Sequence, residues 1–211
     1  MTNYETPIQP GTTLANPVTG ERFTFIETAA TSNGELITFE LELRPGGAVP
    51  MLHVHPIQTE RFEVLEGTAR FRVGRRSILA SAGGVVEIAP GVVHGFSNPG
   101  ADPVRIRVDV SPALQMEQML REVVALAEAG RLTRRGLPRN LFELARLART
   151  YDDVAHAPFV SVRVQRAVLA PLTLIARLRE KPKPTSEAAA RLGLSRTPRG
   201  LSKKEPVHEH T

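Results

Sequence analysis

Apolar and polar residues alternate with a period of two in several short runs of the first half of the chain. In residues 35–43, Ile37, Phe39, Leu41 and Leu43 share one face, and Thr38, Glu40 and Glu42 the other. In 68–73, Ala69, Phe71 and Val73 oppose Arg70 and Arg72. In 104–110, Val104, Ile106, Val108 and Val110 oppose Arg105, Arg107 and Asp109. Such alternation is the mark of a half-buried strand. Turn signals separate the runs: Asn33-Gly34, Pro45-Gly46-Gly47, Glu66-Gly67, Gly83-Gly84, Pro90-Gly91 and Asn98-Pro99-Gly100. Many short strands at this spacing predict a mainly β, antiparallel sandwich or barrel. Outward acids and arginines could pair across the sheet surface, where such pairs stabilise little.

Beyond Ser111-Pro112 the period lengthens to that of a helix. Ser111 is the predicted N-cap, with Pro112 at the first helical position. Leu114, Met116, Met119, Leu120, Val123, Val124 and Leu126 form one stripe, and Gly130 stops the helix. A second helix is predicted after Pro138-Arg139-Asn140, to about Tyr151. A third candidate covers residues 160–180, interrupted by Pro171. From Lys181 onward the chain reads as linker, short helix and polar tail. The predicted organisation is an N-terminal arm (1–19), a barrel (20–112), a helical extension (113–180) and a basic, disordered tail (181–211).

Composition narrows the chemistry. Of 211 residues, 41% are hydrophobic and 23% charged, a globular balance. The absence of cysteine excludes a disulfide scaffold, a thiolate zinc site, an Fe–S cluster and a Cys nucleophile. No run of about 18 uncharged apolar residues occurs, and MTNYETPIQPGTT has neither the basic nor the apolar part of a secretion signal. The expectation is a soluble, cytoplasmic protein. Residues 1–110 carry nine arginines against twelve acids, whereas residues 111–211 carry eighteen cations against ten acids. That polarity suits an acidic partner or, equally, solvated helix faces with a basic tail.

The segment GAVPMLHVHPIQTERFEVLEG, residues 47–67, concentrates the chemistry. His53 and His55 stand two residues apart and share a face of a strand. Glu60 follows a short turn, in phase with Phe62 and Val64. Two imidazoles and a carboxylate are thereby aimed into one interior, where they are costly without a compensating partner such as a metal ion. A second segment, GGVVEIAPGVVHGFSN, residues 83–98, carries His94 with Phe96 in phase.

Together these segments resemble the cupin family, whose motifs read G(X)5HXH(X)3,4E(X)6G and G(X)5PXG(X)2H(X)3N. Every specified position of the first is matched at Gly47, His53, His55, Glu60 and Gly67. The second is matched at Gly83, Gly91, His94 and Asn98, with the proline one place late at Pro90. The resemblance covers roughly residues 20–112 and implies a double-stranded β-helix (jelly-roll) barrel in which His53, His55, Glu60 and His94 bind one divalent metal. The three glycines Gly47, Gly67 and Gly83 are expected at turns with positive φ. Three imidazoles and a carboxylate suit Fe, Mn, Ni, Cu or Zn as the divalent ion. Four protein ligands leave room for water, oxygen or a chelating substrate.

Phe39, Phe62, Phe71, Phe96 and Ile106 are the expected apolar lining of a substrate pocket. The leading functional expectation is dioxygenase-like oxidation of a small oxygen-bearing metabolite, with Glu60 as ligand or base. The alternatives are a metabolite-binding or sensory protein without turnover, and a metal-dependent isomerase, cyclase or lyase. A homodimer is expected from an open sheet edge. Nucleic acid is disfavoured: tryptophan is absent, aromatics are 5%, and Pro198 falls where a recognition helix would follow Ala188, Ala189, Leu192, Gly193 and Leu194. The arginine-bearing apolar stretch 159–178 fits packing on the barrel or a second subunit better than a membrane surface. His208 and His210 are read as solvated, and His156, beside Asp152 and Asp153, as a surface residue.

Overall fold

A computed structural model describes residues 7–49, 51–158, 163, 164, 167, 170 and 171. The strands are β1 (Thr13–Asn16), β2 (Glu21–Glu27), β3 (Ile37–Leu43), β4 (Thr59–Glu66), β5 (Thr68–Val73), β6 (Arg76–Ser81), β7 (Val85–Ile88), β8 (His94–Ser97) and β9 (Val104–Ser111). Two helices follow, α1 (Met116–Glu128) and α2 (Leu141–Thr150). One sheet has the order β1-β2-β3-β9-β4-β7 and the other β6-β5-β8, all pairs antiparallel. This is the antiparallel architecture that the alternation and turn signals predict, with the jelly-roll form that the resemblance implies.

Alternation becomes burial directly. Along β9, Val104, Ile106, Val108 and Val110 are buried, while Arg105 and Arg107 point outward. Phe62 and Val64 on β4 meet Val108 and Ile106 across the ladder, which makes one continuous core. Outside, Arg105 reaches Glu40 at 3.0 Å and Glu66 at 3.3 Å, exposed pairs of small energetic weight.

Three features depart from the sequence reading. Residues 13–16, assigned there to the arm, form β1 and add a strand to the large sheet beside β2. The first helix begins at Met116 with Gln115 at its cap, not at Ser111. The reason is that Ser111 still belongs to β9, paired with Thr59, and its hydroxyl donates to the Glu35 carbonyl. Gly67 does take a positive φ of 79°, but Gly47 does not. A Cβ on Gly47 would come within 2.7 Å of Leu43 Cδ1 and 2.9 Å of the Arg44 carbonyl, so close approach excludes a side chain there.

Asn140 caps α2 as expected, its side chain accepting from the Phe142 amide. The helices bury Val124, Leu126, Ala127 and Leu147 in the same core as the barrel. Glu117 on α1 accepts from the Ala29 amide at 2.7 Å, and burial pushes its carboxyl above the ordinary value. After α2 the chain returns: Val154 is fully buried, and His156 forms a two-hydrogen-bond antiparallel bridge with Val54. His156 is therefore a half-buried residue at the surface, held against the barrel by its backbone. The predicted third helix, the helix-turn-helix-like stretch and the tail with His208 and His210 lie outside the described residues, apart from a few isolated positions up to Pro171.

Candidate metal centre

The two histidine-bearing segments are joined backbone to backbone. His53 and His94 exchange two hydrogen bonds of 3.0 Å, so they sit directly opposite each other. The turn at Ala89-Pro90-Gly91 closes next to this bridge, where the Gly91 amide donates to the His55 carbonyl at 2.8 Å. The shifted proline is thus compatible with the turn. Val54, between the histidines, points its backbone the other way, to His156. The His53–His55 segment is held from both sides.

Glu60 enters from β4 with Phe62 and Val64 on the inward face. His94 Nε2 lies 2.7 Å from Glu60 Oε2, and His55 Nε2 lies 3.4 Å from Oε1. One ligand atom from each of His53, His55, Glu60 and His94 falls within 4.8 Å of the others. His55, Glu60 and His94 are buried, and His53 is half-buried at the rim. All four residues that the spacing selects are brought together.

Each imidazole is fixed by a backbone carbonyl. His53 Nδ1 faces Met51 O at 3.1 Å, and His94 Nδ1 faces Val92 O at 2.9 Å, each using the carbonyl two residues back. For His55 the corresponding carbonyl, that of His53, already accepts the His94 amide. His55 Nδ1 instead faces Val154 O at 2.5 Å, a partner from the segment after α2. A ring nitrogen facing a carbonyl must carry the proton, so each ring, when neutral, turns its Nε2 lone pair inward. With the carboxylate they form four acceptors around one point. His55 Nε2, His94 Nε2 and Glu60 Oε2 are buried, and both imidazole nitrogens face the Glu60 carboxylate. Buried polar atoms are normally satisfied, and a divalent cation satisfies this set at once. The donor set therefore fits a metal.

The electrostatics agree. Burial opposes ionisation of Glu60, but His55 and His94 outweigh it and hold the carboxyl well below the usual range. Burial, then His94 and His55, lower His53 to about 4, so its ring stays neutral. His55 moves the other way: burial opposes its protonation, but Glu60 and the Val154 carbonyl raise it. A cation requires neutral rings and an ionised carboxylate, so it finds His53 and Glu60 ready and competes with a proton for His55.

The expected pocket residues separate into two groups. Phe62, Phe71 and Phe96 form one cluster, with ring centroids 5.2, 5.6 and 6.3 Å apart. Phe62 follows Glu60 by two residues on β4 and Phe96 follows His94 by two on β8, so this cluster lies one pleat beneath the ligands. Phe39 instead packs edge-on to Phe23 at 5.6 Å and against Phe25 at 5.8 Å. Ile106 pairs with Val64, whereas the residues across from Glu60 are Val110 and Ile88.

Sequence reading missed two contributors. Gln58 is in phase with Glu60, Phe62 and Val64, and is fully buried; extending the alternation back by one step would have found it. The Val154 carbonyl is a backbone group and leaves no sequence signal.

Residues 39–111 match the family model described as Cupin domain. No curated protein matches the chain. Among solved structures, a predicted oxalate decarboxylase from Thermotoga maritima is 20% identical with a TM-score of 0.43, covering 48% of this chain and 90% of its own. An RmlC-like cupin from Shewanella frigidimarina is 19% identical with a TM-score of 0.43, covering 54% and 90%. A cupin domain from Schizosaccharomyces pombe is 16% identical with a TM-score of 0.40, covering 48% and 71%. Among the described residues no helix is long and apolar enough to cross a membrane.

Proposed function

We propose that this chain, whose residues 39–111 match the Cupin domain model, is a metal-dependent enzyme that carries out dioxygenase-like oxidation of a small, oxygen-bearing, partly apolar metabolite. The observation that carries the reading is the convergence of His53, His55, Glu60 and His94, each with one ligand atom within 4.8 Å of the others and three of the four residues buried. His53, His55 and His94 would hold the ion through Nε2 and Glu60 through its carboxylate. When bound, such an ion supplies Lewis acidity and, if it is Fe, Mn, Ni or Cu, access to electron transfer.

The chain's own residues do the rest. Glu60 is kept ionised and so can accept a proton from an acidic hydroxyl of the substrate at Oε2. The Phe62–Phe71–Phe96 cluster walls the floor of the site with hydrocarbon, which suits an apolar gas and an apolar substrate body and excludes water. Isomerase or lyase chemistry calls for an acid and a base on the substrate. Among the described residues the other buried carboxyl groups are elsewhere, Glu21 against Thr19 and Glu117 against Ala29. Glu60 is left as the one carboxyl group at the cluster, which favours oxidation over those alternatives.

An oxygen electrode tests this directly. Fe(II)-, Mn(II)- and Ni(II)-loaded protein is assayed against phenols, diketones and hydroxy acids, with and without air. Oxygen uptake matched to substrate loss is expected, and its disappearance in Glu60→Ala. Turnover that proceeds without oxygen would replace this reading with isomerase or lyase chemistry. A compound that raises Tm and is never consumed would replace it with ligand sensing.

A further inference from the structure

Away from the metal ligands, the barrel and the helical extension enclose a cavity of about 390 Å³. Its lining is Val18 from the β1–β2 turn, Arg44 just after β3, and Leu132, Thr133, Arg134 and Arg139 from the loop between α1 and α2. Leu43, next to Arg44, pairs with Val104 at the start of β9, whereas Glu60 pairs with Val110 near its end. Six residues of strand, about 20 Å, lie between the two levels.

The arginines here are positioned. Arg44 Nη2 donates to the Val18 carbonyl at 3.1 Å, and Arg139 Nε donates to the Leu132 carbonyl at 2.8 Å. The Arg44 stem lies over Gly20, where a Cβ would come within 2.2 Å of Nε and 2.4 Å of Cγ and Cδ. Gly20, with a φ of 79°, thus leaves the space that the arginine fills. The loop carrying Arg134 is closed by the Thr133 amide donating to the Leu137 carbonyl at 2.7 Å, and by the Arg139 amide donating to the Arg131 carbonyl at 2.8 Å.

Their charge is uncompensated. Other arginines meet carboxylates: Arg105 with Glu40 and Glu66, Arg61 with Glu63, Arg131 with Glu143, and Arg146 with Glu122. Arg44, Arg134 and Arg139 form an ion pair with none of the described residues, and no acid among those lines the cavity. Most of their N–H donors are unspent, since a guanidinium carries five. Thr133 Oγ1 accepts from the Leu137 amide at 3.2 Å and keeps its own hydrogen to donate. A concavity lined by one sign of charge concentrates the opposite one.

We propose that this cavity is a second binding site, for the phosphoryl group of a small soluble organic phosphate. The two oxygens of a carboxylate fill one arginine fork. A phosphoryl group instead brings three acceptor oxygens and about two negative charges, which suits three guanidiniums and a hydroxyl. Val18 and Leu132 offer hydrocarbon to the body of the ligand. The site does not depend on a bound metal.

Phenyl phosphate and benzoate share a ring and differ in the anion. Both are titrated by calorimetry into the full-length protein at low salt, with inorganic phosphate as competitor. Phenyl phosphate should saturate one site per chain at least about tenfold more tightly than benzoate, and inorganic phosphate should displace it. Arg44→Gln and Arg134→Gln should each weaken it by about tenfold, the contribution of one charge-assisted hydrogen bond. Arg76→Gln removes an exposed charge from β6 and should stay within about twofold. No saturable binding to the native protein, or equal affinities for the two anions, would overturn the proposal without any variant. So would an equal loss in Arg76→Gln, which would reduce the effect to net charge. Undiminished binding in both cavity variants would place the anion elsewhere and overturn it too. Capture by vesicles containing phosphatidic acid, without affinity for phenyl phosphate, would move the phosphoryl group to a lipid headgroup and end the soluble reading.

Discussion

Val154 and His55 are 99 residues apart in the chain, yet the carbonyl of one lies 2.5 Å from Nδ1 of the other. The helical extension thereby sets the tautomer of a ligand at the centre of the barrel. Ligating histidines commonly depend on such a partner on the second nitrogen. Here it is supplied by backbone, held in place by the Val54–His156 bridge, by the full burial of Val154 and by the Tyr151 hydroxyl donating to Glu122 at 2.9 Å.

Val154→Ala hollows the contact without altering any ligand. It should cost about 2 kcal/mol of stability by the cavity it leaves. It should also weaken metal binding by about tenfold, because His55 loses its fixed orientation. Chemical denaturation and metal titration of the same preparation separate the two effects. Unchanged metal affinity would confine the extension to packing.

Much of this site can be read along the chain. His53 and His55 share a face because side chains alternate, and Glu60 joins them because it is in phase with Phe62 and Val64. What could not be read depends on groups without side-chain identity or on competition between elements. The Val154 carbonyl is one such group. Ser111 is the other kind: it has the chemistry of an N-cap, but pairing with Thr59 retains it in β9. That Ile106 pairs with Val64 and not with Glu60 is a matter of register, since periodicity gives the face of a strand and not the level at which it meets its neighbour.

Metal stabilisation should grow with pH. In the metal-free protein His55 titrates above its ordinary 6.5, chiefly because Glu60 offsets the cost of burial. Its protonated form stabilises that state fully below pH 6.5, and the contribution is lost as pH rises through the raised value. Metal needs the same Nε2 free, so affinity should fall by about tenfold per pH unit below that value. The rise in Tm on loading, scanned from pH 5 to 8.5, should therefore increase with pH. A flat profile would show that His55 is not displaced by the ion.

Glu21 offers a pH effect remote from the metal. It is buried with the Thr19 hydroxyl donating to Oε2 at 2.6 Å, and burial raises its carboxyl to about 7. A raised carboxyl stabilises below its unfolded value of 4.5, and the benefit disappears as pH passes about 7. Glu21→Gln cannot ionise. At pH 8.5 it should be more stable than the parent by up to about 3 kcal/mol, with the difference vanishing near pH 4.5. Urea denaturation at the two pH values checks it.

Phe39 and Phe96 should respond differently to substitution. Phe39 is packed against Phe23 and Phe25, away from the ligands. Phe39→Ala should cost about 3–5 kcal/mol and leave metal stoichiometry unchanged. Phe96 is half-buried and lies in phase with His94. Phe96→Leu should shift ligand affinity on the loaded protein by several-fold with a smaller loss of stability, read by calorimetry beside thermal melts.

Metal titration of chelator-treated protein tests the central claim most directly. Mn(II) and Ni(II) should each saturate one tight site per chain. The variants His55→Ala, His94→Ala and Glu60→Gln should lose that site while retaining their fold by circular dichroism, with any weak binding at His208 and His210 unaffected. Absence of a one-equivalent site in the parent, or its persistence in all three variants, would contradict the convergence of those side chains on a single ion.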